Sequence, residues 1–342
     1  MKIPEPENTI AALIDKAHEA RAEGPRPHLG ASLIGHPCDR WLWISFRHAV
    51  IEKFPGRILR LFRRGQNEEA IIVQDLRAIG VDIKSTGANQ ARVDFGKHFS
   101  GSIDGVITGG IPGKEKSKAI IEEKTHGDKS FKALVKDGVE KSKPMHWAQC
   151  QIYALGKGLE RALYFAINKN TDEIYTEWIH LDKPAAERLV ARAHRITMSE
   201  RMPEGISQDG SWYECKYCPA WDFCFGSKLT KEVNCRTCAH VTPLENSTWR
   251  CERYAAEPIP FEHQRTGCES HVLNPQLVPW ELGESTNPHE AVYIIDGKPV
   301  RNGEPDAYCF SSKEMLANPA VCANPEKEIQ ALREKLGARV VG

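Results

Sequence analysis

The sequence predicts an α/β fold, a mixed β-sheet core flanked by helices, with a cysteine-rich C-terminal extension. Three observations predict it. Runs with helical and strand-like spacing alternate up to residue 199 in the order helix, strands, helix, strand pair, helix. That order suits a mixed sheet covered by helices. The composition then shifts at Trp212–Cys224, WYECKYCPAWDFC, where cysteines become dense. Finally, 342 residues suffice for one large domain or two smaller ones with a sizeable core.

The elements follow in order. Residues 7–23 space Ile10, Leu13, Ile14 and Ala17 as a helix, which Gly24-Pro-Arg-Pro ends. A loop from His28 leads into a helix from about Cys38 to Val50. A long helix runs from Pro55 to Ile79, basic at first (Arg57, Arg60, Arg63, Arg64) and acidic after Gly65. A glycine in mid-helix costs about 1 kcal/mol relative to alanine, which a close backbone approach would explain. Short strands follow at residues 80–85 and 90–95. Residues 101–124 read as two strands joined by the glycine-rich, basic loop GGIPGKEKSK. Pro144–Leu155 reads as a helix, Arg161–Ile167 and Glu173–Leu181 as paired strands, and Lys183–Ser199 as an amphipathic helix. Beyond residue 275 there are short strand-like runs (Ala291–Ile295) and a closing helix (Glu326–Leu336).

Composition excludes some classes. Lys plus Arg balance Asp plus Glu at 46 each, so any polyanion must be met by local patches. No apolar run reaches the roughly 18 residues of a membrane span. The start, MKIPEPENTI, lacks the apolar region of a signal peptide, so a cytosolic protein is expected. Eleven cysteines in such a chain point to metal sites rather than disulfides.

The candidate active site is Asp104 with Glu122-x-Lys124. Alternate residues of a strand share a face, so Glu122 and Lys124 point the same way, and Glu123 points away. Asp104 on a neighbouring strand would bring a second carboxylate, and a divalent metal would offset their repulsion. Glu68 and Glu69 are candidates for a third. Gln149 and Tyr153, four residues apart, share a helix face. Two cysteine groups stand out. Cys215-x2-Cys218-x5-Cys224 offers three thiolates and needs a fourth ligand from elsewhere. Cys235-x2-Cys238-x12-Cys251-x16-Cys268 reads as a tetrahedral Zn²⁺ site, in which His240, His263 or His271 could replace one cysteine. Cys150, Cys309 and Cys322 read as core residues.

Taken together, residues 28–226 resemble the PD-(D/E)XK nuclease superfamily, in its iron–sulfur branch. That branch includes the AddB nuclease domain and the CRISPR-associated RecB-like exonucleases, and the resemblance is to phage-type members. Ala31-Ser-Leu-Ile-Gly-His-Pro-Cys38 resembles the segment with the first cluster cysteine. Arg64-Gly-Gln-Asn-Glu-Glu69 resembles the segment carrying a histidine or glutamate metal ligand, which selects Glu69. Asp104 matches within Gly-x-x-Asp-Gly, Glu122-Glu-Lys124 matches the Glu-x-Lys, and Gln149-x3-Tyr153 matches the Gln-x3-Tyr. Cys215, Cys218 and Cys224 match the late cluster triad.

The resemblance implies a restriction-endonuclease-like sheet and a Mg²⁺- or Mn²⁺-dependent deoxyribonuclease. Glu69, Asp104, Glu122 and the Glu123 backbone carbonyl would hold the metal, and Lys124 would act on the water. It implies a [4Fe–4S] cluster on Cys38, Cys215, Cys218 and Cys224, with zinc as the alternative. DNA is the expected partner, as duplex ends or single strands, with a single-strand annealing protein beside it. The setting would be phage recombination or DNA processing, in the host cytoplasm. Arg60, Arg63, Lys114, Lys116, Lys129 and Lys132 are candidate backbone contacts. An exonuclease is the leading expectation; the alternatives are a structure-specific or restriction-type endonuclease and a non-cleaving DNA-binding scaffold. The expected organisation is a nuclease core over 1–227 closed by the cluster, a four-cysteine zinc module over 228–275, and a small α+β extension over 276–342.

Overall fold

The computed structural model describes residues 9–341; residues 7 and 8 of the first expected helix lie outside them. In chain order the elements begin α1 (Thr9–Glu19), β1 (Leu29–Gly30), α2 (Asp39–Phe46), α3 (Gly56–Ala78), β2 (Asp82–Lys84), β3 (Ala91–Asp94), β4 (Phe99–Ile103) and β5 (Gly105–Gly109). They continue with β6 (Ala119–His126), α4 (Asp128–Ser142), α5 (Pro144–Lys157), β7 (Arg161–Asn168), β8 (Ile174–His180) and α6 (Lys183–Met198). Next come α7 (Tyr213–Lys216), α8 (Trp221–Phe225), β9 (Val241–Pro243), β10 (Trp249–Cys251) and α9 (Phe261–Thr266). The chain closes with β11 (Glu281–Gly283), β12 (Ala291–Ile295), β13 (Lys298–Asn302), β14 (Cys309–Phe310), α10 (Ser312–Ala317), α11 (Pro319–Ala323) and α12 (Lys327–Leu336).

The chain forms two compact units. One runs to His36 and resumes over Glu52–His194; the other takes Pro37–Ile51 and everything from Arg195 on. These boundaries differ from the expected breaks at 227 and 275. The reason lies in α2. Its Trp41, Leu42, Trp43, Ile44 and Phe46 are buried, and the Trp43 indole donates to the Ser199 carbonyl (2.9 Å). The Thr230 hydroxyl donates to the Ala49 carbonyl (2.7 Å). An early helix thus belongs to the late unit.

The first unit holds the mixed sheet. Five strands lie in the order β2-β5-β6-β7-β8. Within it only β6 and β7 pair in parallel, with Glu122 opposite Tyr164 and Lys124 opposite Ala166. β7 (RALYFAIN) is buried almost throughout, as a central strand covered on both faces must be. On one face, Ile72 and Leu76 of α3 pack on Ile83, Ile107, Ile121, Leu163 and Phe165. α4 and α5 lie against the same strands, with Leu134 and Ile152 buried. β1, β4 and β3 form a separate three-stranded sheet. The sheet flanked by helices that the sequence predicted is therefore present.

Three local readings are corrected. Residues 101–124 hold three strands, not two, because a bend at Asp104 sends β4 and β5 into different sheets. The sequence reading lacks α4; Gly138 interrupts this helix with φ +72° and hides its periodicity. Gly65 meets no close backbone: a Cβ there would touch only the Thr125 hydroxyl, at 3.8 Å.

The second unit builds on small elements. β9 and β10 form a hairpin. β11-β12-β13-β14 form a four-stranded sheet, whose Tyr293, Ile295, Val300 and Phe310 pack with Val272, Leu273 and Met315. The buried Arg236 guanidinium sits 4.8 Å from the Trp249 ring and donates to the Phe46 carbonyl (2.9 Å).

One glycine is set by packing. A Cβ on Gly101 would stand 2.8 Å from Ala31 Cβ and 2.9 Å from the Tyr153 ring. Gly101→Val should cost about 1–3 kcal/mol through overpacking, read as a lower urea midpoint; an unchanged midpoint would contradict this packing.

Candidate active site and metal centres

The expected catalytic residues come together in the first unit. The bend after β4 turns Asp104 toward β6, where its Oδ2 accepts from the Glu123 backbone N–H (3.0 Å). Glu122 is fully buried. The Lys124 ammonium bonds Glu122 Oε1, donates to the Glu123 carbonyl oxygen (3.1 Å) and lies 3.8 Å from Asp104 Oδ2. The Lys124 ammonium thus occupies the oxygens expected to hold a metal. Glu69 on α3 faces the same cleft as Glu123 and Lys124, a cavity of about 370 Å³ that Gly65 also lines.

Electrostatics agree with this convergence. Burial pushes the Glu69 carboxyl up to about 7, with Asp104 adding and Lys124 opposing. Burial lifts Glu122 to about 8, against Lys124 and aided by Asp104. Glu123 rises to about 9 through burial and then Asp104, Glu69 and Glu122. Burial alone would lower the Lys124 ammonium, but Glu122 and Asp104 raise it above the usual lysine range. Four carboxylates face one ammonium. Glu68 also lines the cleft, but Glu69 is the α3 acid whose charge acts on both Glu122 and Glu123.

Behind Glu122, the Gln149 amide donates to the Tyr153 hydroxyl (3.2 Å), and both side chains are buried. Cys150 is buried beside them, its thiol raised by burial and then Glu122, as suits a core residue. The sequence reading missed a second polar chain here. The Tyr164 hydroxyl meets His126 Nε2 (2.9 Å) and His146 Nδ1 (2.8 Å), and Ser130 reaches His126 Nδ1 (3.2 Å). Burial lowers His126 to about 4 and His146 to about 3, so both are neutral at physiological pH. The signal was available, since 122, 124 and 126 continue one face of β6.

Glu123 corrects another expectation. Strand alternation does put its side chain opposite Glu122, but that face is not outside the site. Glu69 hangs from α3 over it, and the Glu123 side chain joins the cleft there.

The candidate DNA contacts come from three places in the chain, α3, α4 and the loop before β6. Arg60 pairs with Asp15, and Arg63 meets His18 (3.4 Å). Lys132 pairs with Asp128 (2.8 Å), and Lys129 lies at the start of α4. Lys114 and Lys116 line a shallow basic cleft with Arg161, before β6 begins.

Both cysteine groups lie in the second unit. Cys38 caps α2, its sulfur accepting from the Trp41 N–H (3.4 Å). Burial first, with Cys38, Cys224 and Cys215 adding, raises the Cys218 thiol to about 11. Cys224 is raised by burial, with Cys38 and Cys215 adding. In the other group burial pushes Cys235 up to about 12, with Cys238, Cys268 and Cys251 adding. His271 is instead held by Thr237, Asn234 and Ser312. Among the described residues no three His, Cys, Asp or Glu side chains close to metal-holding distances. The active-site donors fit a metal on another observation. Glu122 Oε2 and both Glu123 oxygens are buried without a hydrogen-bond partner, and hard oxygens in that state suit a divalent cation.

The raised carboxyls set a pH dependence. A carboxyl whose pKa is higher folded than unfolded stabilises the protein below the unfolded value, about 4.5, and that contribution is lost as pH rises through the folded one. Metal-free protein should therefore lose stability as pH rises from about 4.5 to about 9, and Glu123→Gln should flatten that loss in urea titrations. Equal slopes in both proteins would contradict the coupling.

No family model matches the chain, and no curated protein matches it. Among solved structures it is similar to SSO0001, with a TM-score of 0.40 and 15% identity over 64% of this chain and 97% of that one. It is also similar to LHK-Exo, an alkaline exonuclease from Laribacter hongkongensis, at TM-score 0.37 and 14% identity over 53% and 90%. The complex of LHK-Exo with dAMP gives TM-score 0.35 and 13% identity over 54% and 90%. These likenesses assign no activity to this chain.

Proposed function

We propose that the chain is a metal-dependent DNA exonuclease of the PD-(D/E)XK type. One observation carries this reading: the Lys124 ammonium sits among Glu122, the Glu123 carbonyl and Asp104. Those oxygens would hold Mg²⁺ or Mn²⁺, with Glu69 completing the set. The metal would supply an activated water and neutralise charge on the phosphate. The chain's own residues do the rest. Asp104 is fixed by the Glu123 N–H. Lys124, held as an ammonium by Glu122 and Asp104, orients the water and stabilises the charge that builds on the phosphate. Gln149 and Tyr153 brace the floor behind Glu122. The His126–Tyr164–His146 chain adds neutral hydrogen bonds and no charge.

For the cysteines, we propose a [4Fe–4S] cluster on Cys38, Cys215, Cys218 and Cys224. The mutual coupling of these thiols and the placement of Cys38 at the start of α2 support it. The coupling of Cys235 with Cys238, Cys251 and Cys268 supports Zn²⁺ there. Both roles are structural, because hydrolysis moves no electrons. A recombination or phage DNA-processing setting, with a single-strand annealing partner, is part of the same proposal and rests on the motif resemblance alone.

Hydrolysis, substrate form and metal content test the reading. Lys124→Ala should lower hydrolysis of end-labelled DNA by about 10²–10⁴-fold while DNA still binds; unchanged cleavage contradicts the assignment. Wild-type protein should degrade linear DNA and spare closed circles, whereas cutting of circles would favour an endonuclease. Purified protein should be brown and hold iron and one zinc. Cys38→Ala should lose the iron and Cys235→Ala the zinc. Zinc on both cysteine groups and no iron would replace the cluster.

A further inference from the structure

The proposed chemistry leaves unused the basic cleft between the loop before β6 and the start of β7. Its cavity of about 670 Å³ is lined by four cations, Lys114, Lys116, Lys118 and Arg161, against two acids, Glu115 and Glu160. None of the four cations has an acid partner among the described residues. Other surface lysines do: Lys132 pairs with Asp128 (2.8 Å), Lys141 with Asp137 (3.4 Å) and Lys231 with Asp222 (3.2 Å). Glu115 instead turns back on its own loop, where its Oε1 accepts from the Gly113 N–H (3.1 Å). The excess positive charge therefore faces the cleft without compensation.

The cations are also held in place. The Lys114 N–H donates to the Ile111 carbonyl and the Ser117 N–H to the Lys114 carbonyl, both at 2.8 Å. The three lysines thus stand on fixed turns. Arg161 lies opposite His180 in the β7–β8 ladder, so Trp178 is its diagonal neighbour on the same face. The Trp178 ring packs on the sheet core. The Lys114 ammonium lies 5.6 Å from that ring and the Arg161 guanidinium 5.8 Å, and a ring face attracts both cations. The Arg161 Nε is buried without a hydrogen-bond partner. A guanidinium carried on a fixed stem offers a planar fork that matches phosphate.

The position of the cleft selects its occupant. Phe165 pairs with Glu123, and Arg161 precedes Phe165 by four residues on β7, so it shares the face of the Glu123 side chain. The separation is about 13 Å along the strand, the axial rise of roughly four nucleotides. Building on the nuclease reading, we propose that this cleft is a second DNA anchor. Arg161, Lys114, Lys116 and Lys118 hold backbone phosphates away from the bond that is cut, and Trp178 fixes two of the cations for them. The anchor carries no base recognition, so it strengthens binding equally for all sequences.

The test uses the full chain with its cysteine sites loaded, without Mg²⁺ or Mn²⁺, so that a fluorescent duplex binds uncut. Binding is followed by anisotropy across a salt series. The charge-reversed loop, Lys114→Glu with Lys116→Glu and Lys118→Glu, should weaken binding at least about 10-fold and flatten the plot of log affinity against log salt by about 2–3. Trp178→Leu should weaken binding about 2–5-fold, and Arg161→Gln should weaken it as well. Lys141→Glu, an exposed change on α4, should leave it near wild type. If Arg161→Gln or Trp178→Leu fails to fold, the exposed loop variant decides. An unchanged affinity and salt slope in the loop variant overturns the anchor, as does an equal loss in Lys141→Glu. Poly-glutamate displacing the duplex as readily as unlabelled DNA would assign an acidic-protein surface and also overturns it. Wild type that cleaves DNA while the loop variant binds normally ends this inference and leaves the nuclease; wild type that neither binds nor cleaves DNA ends both.

Discussion

The first unit depends on one unbalanced charge cluster. Glu69, Asp104, Glu122 and Glu123 converge on a single ammonium, that of Lys124. Like charges at short range in a poorly solvated site are expensive unless a cation or protons offset them. The fold offsets their convergence with rigid supports. A bend between two sheets aims Asp104, β6 carries three of the groups, and α3 delivers Glu69. Apolar contacts of Ile72 and Leu76 with the sheet fix where α3 lies. A divalent ion bound here, as proposed, would displace protons from the raised carboxyls.

The second unit solves a different problem. Its strands are short and its helices are mostly of one or two turns, so little continuous sheet is available to build a core. Two things compensate. Segment 37–51 contributes a helix with five buried apolar residues, and the proposed cluster and zinc site would cross-link the loops that carry the cysteines. Cys38 caps α2, and it lies near enough to Cys218 and Cys224 to raise their thiols.

Much of this was legible in the sequence. Strand alternation placed Glu122 and Lys124 together, and helical spacing placed Gln149 over Tyr153. The long α3 and the buried β7 announced themselves through periodicity and a continuous apolar run. What was hidden depends on three dimensions. The bend at Asp104 is marked by Asp104-Gly105, but nothing in that dipeptide says that the chain continues at once as a strand of another sheet. Gly138 breaks the pattern that would have revealed α4. The membership of α2 in the late unit rests on pairings with Ser199 and Thr230, far along the chain. The role of the Glu123 side chain could not be read from β6 alone, because the acid that shares its face comes from α3.

The most direct measurement follows Mn²⁺ binding and release of nucleotides from linear duplex DNA on the same samples of wild type and Asp104→Asn. Asp104 is the only one of the four acids that lies outside both α3 and β6. Its loss should weaken cation binding and abolish nucleotide release together. Full hydrolysis by Asp104→Asn, with or without the metal, would contradict the account of the charge cluster as the centre of catalysis.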